Sequence, residues 1–258
     1  MKRFLLILLC FLPLSAKPSD STKVSPEVIH SQWFSHYEQI YRRVDIYIPS
    51  ELIDNRSETI NKYPVLVLLH GINGYEGSWQ DKGFAVDTLR ALIASGRCQP
   101  MILVMPDCNK WPFKKRPVNH GNLWKCVTHY GKLAREHELE HAISDLIDMI
   151  DSTYNVSSYA VAGLSDGARM AANVANTRPD KIQSVGLFSP VLRKEQLPKE
   201  DSINYCIYVG QNDMFFASGD RFRRRLNKAK YPYQWMVFPG HHNWKMWRKC
   251  LADFLGKI

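Results

Sequence analysis

The chain has 258 residues, 45% of them hydrophobic and 23% charged, with a formal net charge of +9. That balance excludes a disordered or fibrous chain and leaves room for a sizeable packed core. No repeat of about 20 to 50 residues and no low-complexity tract is visible, so solenoids and propellers are excluded as well.

The N-terminus reads MKRFLLILLCFLPLSA: basic Lys2 and Arg3, an apolar run over 4–14, then the small pair Ser15-Ala16. That is the layout of a secretory signal peptide. The run is shorter than the roughly 20 apolar residues a membrane span needs, so no stable anchor is expected. The chain is expected to be secreted or periplasmic, with residues 1–16 removed and 17–258 left as a single domain. Loss of Lys2 and Arg3 lowers the net charge from +9 to +7. The remaining excess is spread along the chain, with one concentration in NKWPFKKRP (109–117). Export and this spread exclude nucleic acid as the expected partner.

Residues 17–39 read as an edge strand or an irregular lead-in. RRVDIYIP (42–49) has period two, with Val44, Ile46 and Ile48 on one face. YPVLVLLHG (63–71) is a continuous apolar run, as in a strand buried on both faces. FAVDTLRALIASG (84–96) predicts a helix closed by Gly96. MILVMPD (101–107) predicts another buried strand. REHELEHAISDLIDMIDSTY (135–154) predicts a long amphipathic helix through Leu139, Ile143, Leu146, Ile147 and Ile150. Strand SYAVAG, helix DGARMAANVANT, and strands SVGLFS and NYCIYVG follow. An Arg-rich helix, strand QWMVFPG and the C-terminal helix WKMWRKCLADFLG complete the chain. Alternating strands and helices with no Gly/Ser/Pro linker predict an α/β fold, a mainly parallel central sheet with helices on both faces.

AVAGLSDGARMAANVA (160–175) holds Gly163, Ser165 and Gly167 in the spacing G-x-S-x-G. That spacing arises by chance in roughly one chain in ten of this length, so its surroundings decide. A strand precedes Ser165 and a helix follows. Ala162, Gly163, Gly167, Ala168, Ala171 and Ala172 are small enough to bring that helix close to the sheet. Ser165 is therefore the candidate nucleophile. Its hydroxyl needs a base, and the base an orienting acid. In a strand–elbow–helix enzyme the acid and then the histidine follow at the ends of later strands. Asp213 is the first acid after the buried strand NYCIYVG, with Asp220 as the alternative. His241 and His242 stand side by side after the last strand, and the other seven histidines all precede Ser165. Position alone does not choose between these two.

After removal of the leader five cysteines remain: Cys98, Cys108, Cys126, Cys206 and Cys250, an odd number that leaves at least one unpaired within the chain. Cys98 and Cys108 flank one strand, too far apart to pair. A Cys108–Cys126 disulfide and reduced packing cysteines both fit. HELEH (137–141) matches the H-E-x-x-H zinc pattern, but no third ligand motif follows it, so no metal is expected. The connection 107–130 is long, as functional loops often are. Its Trp111, Phe113 and Trp124, with Trp244, are candidate contacts for a sugar or phenolic ring. Its Lys114, Lys115 and Arg116 suit an anionic group.

RRVDIYIP, YPVLVLLHG, PMILVMPD, AGLSDGA, GQND and GHHNW occur in the order seen in the esterase D-like family of α/β hydrolases, which the chain resembles over nearly its whole mature length. That family includes feruloyl and acetylxylan esterases, S-formylglutathione hydrolases, siderophore esterases and mycolyltransferases. The resemblance implies the α/β-hydrolase fold and a serine carboxylesterase that needs no cofactor. Family members end in a G-G-H-D-W-like stretch, which aligns with Gly240 to Trp244 and makes His242 the base. The family's oxyanion donors fall on the backbone N–H groups of Ile72 and Asp166. Asp166, His241 and Asn243 depart from the family's usual residues, which bears on the pocket and leaves the triad intact. With export, the resemblance implies a small-molecule or polysaccharide ester as substrate, feruloyl or acetyl groups on plant cell-wall polysaccharide first. A catecholate siderophore esterase, an S-formylglutathione hydrolase-like esterase and a non-catalytic carbohydrate-binding protein are the alternatives.

Overall fold

Among the described residues, apolar runs bounded by turn residues build eight strands: β1 (Val28–Ser35), β2 (Ile40–Tyr47), β3 (Tyr63–Leu69), β4 (Ile102–Pro106), β5 (Val156–Leu164), β6 (Ile182–Phe188), β7 (Asn204–Gly210) and β8 (Tyr233–Phe238). They form one sheet in the order β1-β2-β4-β3-β5-β6-β7-β8. β1 and β2 pair antiparallel, as do β2 and β4, and every pairing from β4 to β8 is parallel. The structure is a computed structural model and describes residues 28–53, 62–109, 139–192 and 196–258.

The helices are α1 (Ser50–Ile53), α2 (Ser78–Asp81), α3 (Ala85–Ala94), α4 (Leu139–Thr153), α5 (Asp166–Thr177), α6 (Phe216–Ala229) and α7 (Trp244–Leu255). α4, α5 and α6 cover one face of the sheet, where Ile143, Leu146, Ile147 and Ile150 pack on Val65, Val67, Val161 and Val185. α2, α3 and α7 cover the other, where Leu89, Leu251 and Phe254 meet Leu66, Leu68 and Ala162. β3 thus sends alternate side chains into two separate cores, which is why its sequence is apolar at successive positions. Each fully buried Ile or Leu here contributes about 2 kcal/mol from burial.

The predicted parallel sheet with helices on both faces is present. The lead-in contains an edge strand, β1, fixed to α4 by the Trp33 indole N–H donating to the Ala142 carbonyl at 3.1 Å. The four-residue helices α1 and α2 were not foreseen, because one turn is too short to show helical periodicity. Among the described residues no helix is long and apolar enough to cross a membrane. The expected leader 1–16, Trp111, Phe113, Trp124, the basic cluster 114–116 and Cys126 lie outside the described residues.

The parallel strands place their carboxyl ends together. Ile72 follows β3, Asp107 follows β4, Ser165 follows β5, Ser189 follows β6, Asp213 follows β7 and His242 follows β8. Ligands of open α/β sheets bind at this edge.

Candidate active site

Ser165 sits between β5 and α5 with φ 54° and ψ −114°, a left-handed backbone that costs a non-glycine residue on the order of 1–3 kcal/mol. Its N–H donates to the Phe188 carbonyl at 2.9 Å, and its own carbonyl accepts from the Ala168 N–H at 3.2 Å. The turn is tight because two glycines allow it. A Cβ on Gly163 would lie 2.3 Å from the Gly167 carbonyl oxygen, and one on Gly167 would lie 2.5 Å from those of Leu69 and His70. Both obstacles are backbone and cannot rotate away. Gly167→Ala is expected to push α5 off β3 and destabilise the protein by about 3 kcal/mol, a fall of roughly 6–12 °C in Tm for a chain of this size. A thermal melt unchanged by this substitution would contradict the close-approach account.

His242 lies between the other two predicted residues. Its Nε2 is 3.1 Å from Ser165 Oγ, and its Nδ1 is 3.1 Å from each carboxylate oxygen of Asp213. The imidazole is held edge-on by two rings, Phe215 at 4.8 Å and Trp247 at 4.9 Å between centroids. Asp213 is fully buried, and its Oδ1 accepts the Phe215 N–H at 2.8 Å. Burial opposes its charge, but hydrogen bonds from His242, Ser189 and the Phe215 N–H outweigh it and hold the carboxyl below the usual carboxylate range. Two backbone bonds tie the acid's loop to the histidine's: Gln211 N–H to the Phe238 carbonyl at 2.8 Å and Asn212 N–H to the Gly240 carbonyl at 2.9 Å.

The rival residues have other occupations. Asp220 is clasped by Arg223 and Arg224 of its own helix. His241 is exposed, and its carbonyl accepts the Asn243 N–H. Asn243 is the N-cap of α7, its side chain accepting from the Met246 N–H at 3.1 Å. Asn caps a helix about as well as Asp, so this departure from the family pattern is accommodated locally. Trp244 is half-buried, edge-on to Trp79 at 5.3 Å and to Trp247 at 5.4 Å. It supports the aromatic cluster beneath His242.

Asp166 is the first residue of α5, so its N–H belongs to a helix N-terminus and has no acceptor within the helix. Its carboxylate turns aside to Arg169 at 2.9 Å, leaving the backbone to face the nucleophile. The loop carrying Ile72 runs alongside, since a Cβ on Gly71 would come within 3.4 Å of Ser165 Cβ. That loop is closed by the Gly74 N–H donating to the Gly71 carbonyl at 3.0 Å.

A polar clamp behind the loop was not legible in the sequence. His70 is buried; its Nδ1 lies 2.8 Å from the Gly71 carbonyl and so carries the proton, while Nε2 accepts the Cys108 N–H at 3.0 Å. Asn109 donates from Nδ2 to the Gly74 carbonyl and to Asp107 Oδ1, both at 2.7 Å. Arg43 pairs with Asp107 at 3.1 Å and with Glu76 at 3.0 Å. The available signal was the placement of His70 and Asp107 just beyond two buried strands.

Cys98, Cys108, Cys206 and Cys250 are free thiols, so Cys98 and Cys108 do not pair. Of the HELEH residues, His137 and Glu138 lie outside the described residues, and His141 packs on the Tyr37 ring at 4.9 Å.

Comparison with known proteins follows the same lines. The family described as "Putative esterase" matches residues 39–214. The endo-1,4-beta-xylanase/feruloyl esterase of Xylanibacter ruminicola is 28% identical over 217 residues, covering 80% of this chain and 28% of that protein. The chain therefore spans less than a third of that curated relative. A CE1 ferulic acid esterase from the anaerobic fungus Anaeromyces mucronatus superposes with a TM-score of 0.69 at 21% identity, over 92% of each chain. The S-formylglutathione hydrolase of Staphylococcus aureus superposes with a TM-score of 0.67 at 17% identity, over 90% of this chain and 95% of the other. At such identities the structural likeness carries the α/β-hydrolase fold alone. By the match over residues 39–214, the chain belongs to the esterase family, carboxylic ester hydrolases built on the α/β-hydrolase fold.

Proposed function

We propose that this chain is an exported serine carboxylesterase that removes feruloyl or acetyl groups from plant cell-wall polysaccharide. In this reading residues 1–16 are the leader and 17–258 the catalytic unit. The observation that carries it is His242, within 3.1 Å of both Ser165 Oγ and the Asp213 carboxylate. Ser165 Oγ attacks the ester carbonyl carbon while His242 Nε2 takes its proton, and Asp213 stabilises the resulting imidazolium. The carbonyl oxygen, now an oxyanion, accepts the Ile72 and Asp166 N–H groups, worth about 3 kcal/mol each to the transition state. His242 then protonates the leaving alcohol, giving an acyl-enzyme. Water attacks that acyl group with His242 again as base, releasing the carboxylic acid and free Ser165. Every proton and electron pair is accommodated by these side chains, the substrate and water.

For the substrate, support comes from the xylanase/feruloyl esterase named above, matched over 80% of this chain. The test is a panel of methyl ferulate, acetylated xylan and a catecholate triester, run alongside labelling by a fluorophosphonate. Labelling of Ser165 with turnover of the ferulate or xylan ester is the expected result. Turnover of the catecholate triester alone would overturn the cell-wall assignment and leave the esterase. Absence of both labelling and turnover would make the chain a binding protein.

A further inference from the structure

We infer that the outer face of α6 is a docking surface for an acidic polysaccharide, a chain bearing uronate carboxylates, which it leads away from the ester site along the β8 side of the molecule. The choice of a polysaccharide rests on the cell-wall reading above; the surface itself rests on charge and exposure. The charge excess is concentrated rather than spread. Residues 216–258 hold ten of the chain's Lys and Arg and two of its Asp and Glu, which is +8 of the net +9. Six of those cations, Arg221, Arg223, Arg224, Arg225, Lys228 and Lys230, fall on α6 and its C-cap. Asp220 is the single acid of the helix, and Arg223 and Arg224 take it. Arg223 also lies over the Trp235 ring of β8, 5.5 Å from its centroid. Arg221, Arg225 and Lys228 remain, at i, i+4 and i+7, a spacing that puts three side chains on one stripe of a helix. All three are exposed, and α6 offers them no carboxylate. Like charges at this spacing repel one another and cost the helix stability, a cost that an anionic polymer lying along the stripe removes.

The place of the stripe fits a polymer whose ester is being cut. α6 starts directly after Phe215, whose ring packs on His242 at 4.8 Å between centroids. The helix therefore begins at the carboxyl edge of the sheet, beside the base, with exposed Met214 between Asp213 and Phe215. Arg221 is roughly 8 Å along the helix from Phe216, and Lys228 about 10 Å farther. The chemistry of the face narrows the partner. Phe222 and Leu226, the large apolar residues between Arg221 and Lys228, are fully buried in the core. The stretch thus turns no apolar side chain outward for insertion into lipid, and no aromatic ring for stacking on nucleic-acid bases. Carboxylates spaced along a sugar chain suit it, because a guanidinium takes a carboxylate bidentate and an ammonium takes one as a point charge. Each such exposed pair is weak and screened by salt, so affinity requires several on one polymer.

The test measures binding of the full chain to polygalacturonate, neutral arabinoxylan, duplex DNA and phosphatidylglycerol vesicles at low salt. The protein is expected to bind polygalacturonate at least about tenfold more tightly than arabinoxylan, with affinity falling as salt rises. The variant Arg221→Gln/Arg225→Gln/Lys228→Gln should lose about tenfold toward polygalacturonate, with no loss of Tm and with unchanged turnover of methyl ferulate. On acetylated glucuronoxylan its KM should rise about tenfold while kcat holds. A variant that loses the same charge from exposed sites elsewhere, Lys62→Gln/Arg97→Gln/Lys199→Gln, should bind polygalacturonate within about twofold of wild type, which separates the stripe from net charge alone. Equal binding of polygalacturonate and arabinoxylan, or equal losses in the two triple variants, would overturn the assignment. So would binding of DNA or of the vesicles that depends on the stripe while polygalacturonate is not bound. Failure of the esterase reading looks different: the wild type then turns over none of the esters, while polygalacturonate binding still depends on α6.

Discussion

Ser165→Ala is expected to lower kcat for p-nitrophenyl acetate by at least about 10⁴-fold, because Ser165 carries the hydroxyl that His242 activates to form the acyl-enzyme. The fold should survive, since Ser165 contributes its backbone to the sheet through the Phe188 carbonyl and its hydroxyl only to His242. Ser165→Gly makes the sharper statement. Glycine takes φ 54° without strain, so that variant should be as inactive as the alanine one yet more stable by about 1 kcal/mol. Gain of stability on loss of activity is the expected mark of a residue held in a costly conformation for its chemistry. Both variants should lose fluorophosphonate labelling. Wild-type turnover in Ser165→Ala would sink the nucleophile assignment, and an activity then abolished by EDTA would return attention to His137, Glu138 and His141.

The sequence exposed those features that depend on period and order. The buried run of β3 and the alternation of β2 each predict one local geometry, and both strands form where expected. Ser165, Asp213 and His242 were legible because each closes a strand of a parallel sheet, so topology carries residues far apart in the chain to one edge. The choice between His241 and His242 was not legible from spacing. Neighbours in a turn differ in direction, and only the register of the family's G-G-H-D-W-like stretch on this chain's G-H-H-N-W selected one. The clamp of Arg43, His70, Asp107 and Asn109 stayed hidden for another reason. Its members come from three separate segments, and nothing in any one segment requires a partner in the others. Ser189 was hidden more deeply still. A serine ending a strand reads as turn punctuation, and the indole N–H that its hydroxyl accepts comes from Trp247, 58 residues away.

His242→Ala is expected to lose turnover about as completely as Ser165→Ala, while His241→Ala keeps kcat within about threefold of wild type. The difference lies in direction. His242 points inward, reaching Ser165 with one nitrogen and Asp213 with the other, and its ring is fixed by Phe215 and Trp247. His241 is exposed and serves its neighbour through its backbone carbonyl, which alanine retains. Removing the His242 imidazole leaves the Ser165 hydroxyl without a base, so attack requires an alkoxide formed at its own high pKa, a loss of about 10⁴-fold or more. It also strands the Asp213 carboxylate, which is buried and loses its principal partner, so the variant should melt lower by a few degrees as well. Retained turnover in His242→Ala together with its loss in His241→Ala would mean that the base is one residue earlier, and that the loop after β8 is shifted by one position in the active enzyme.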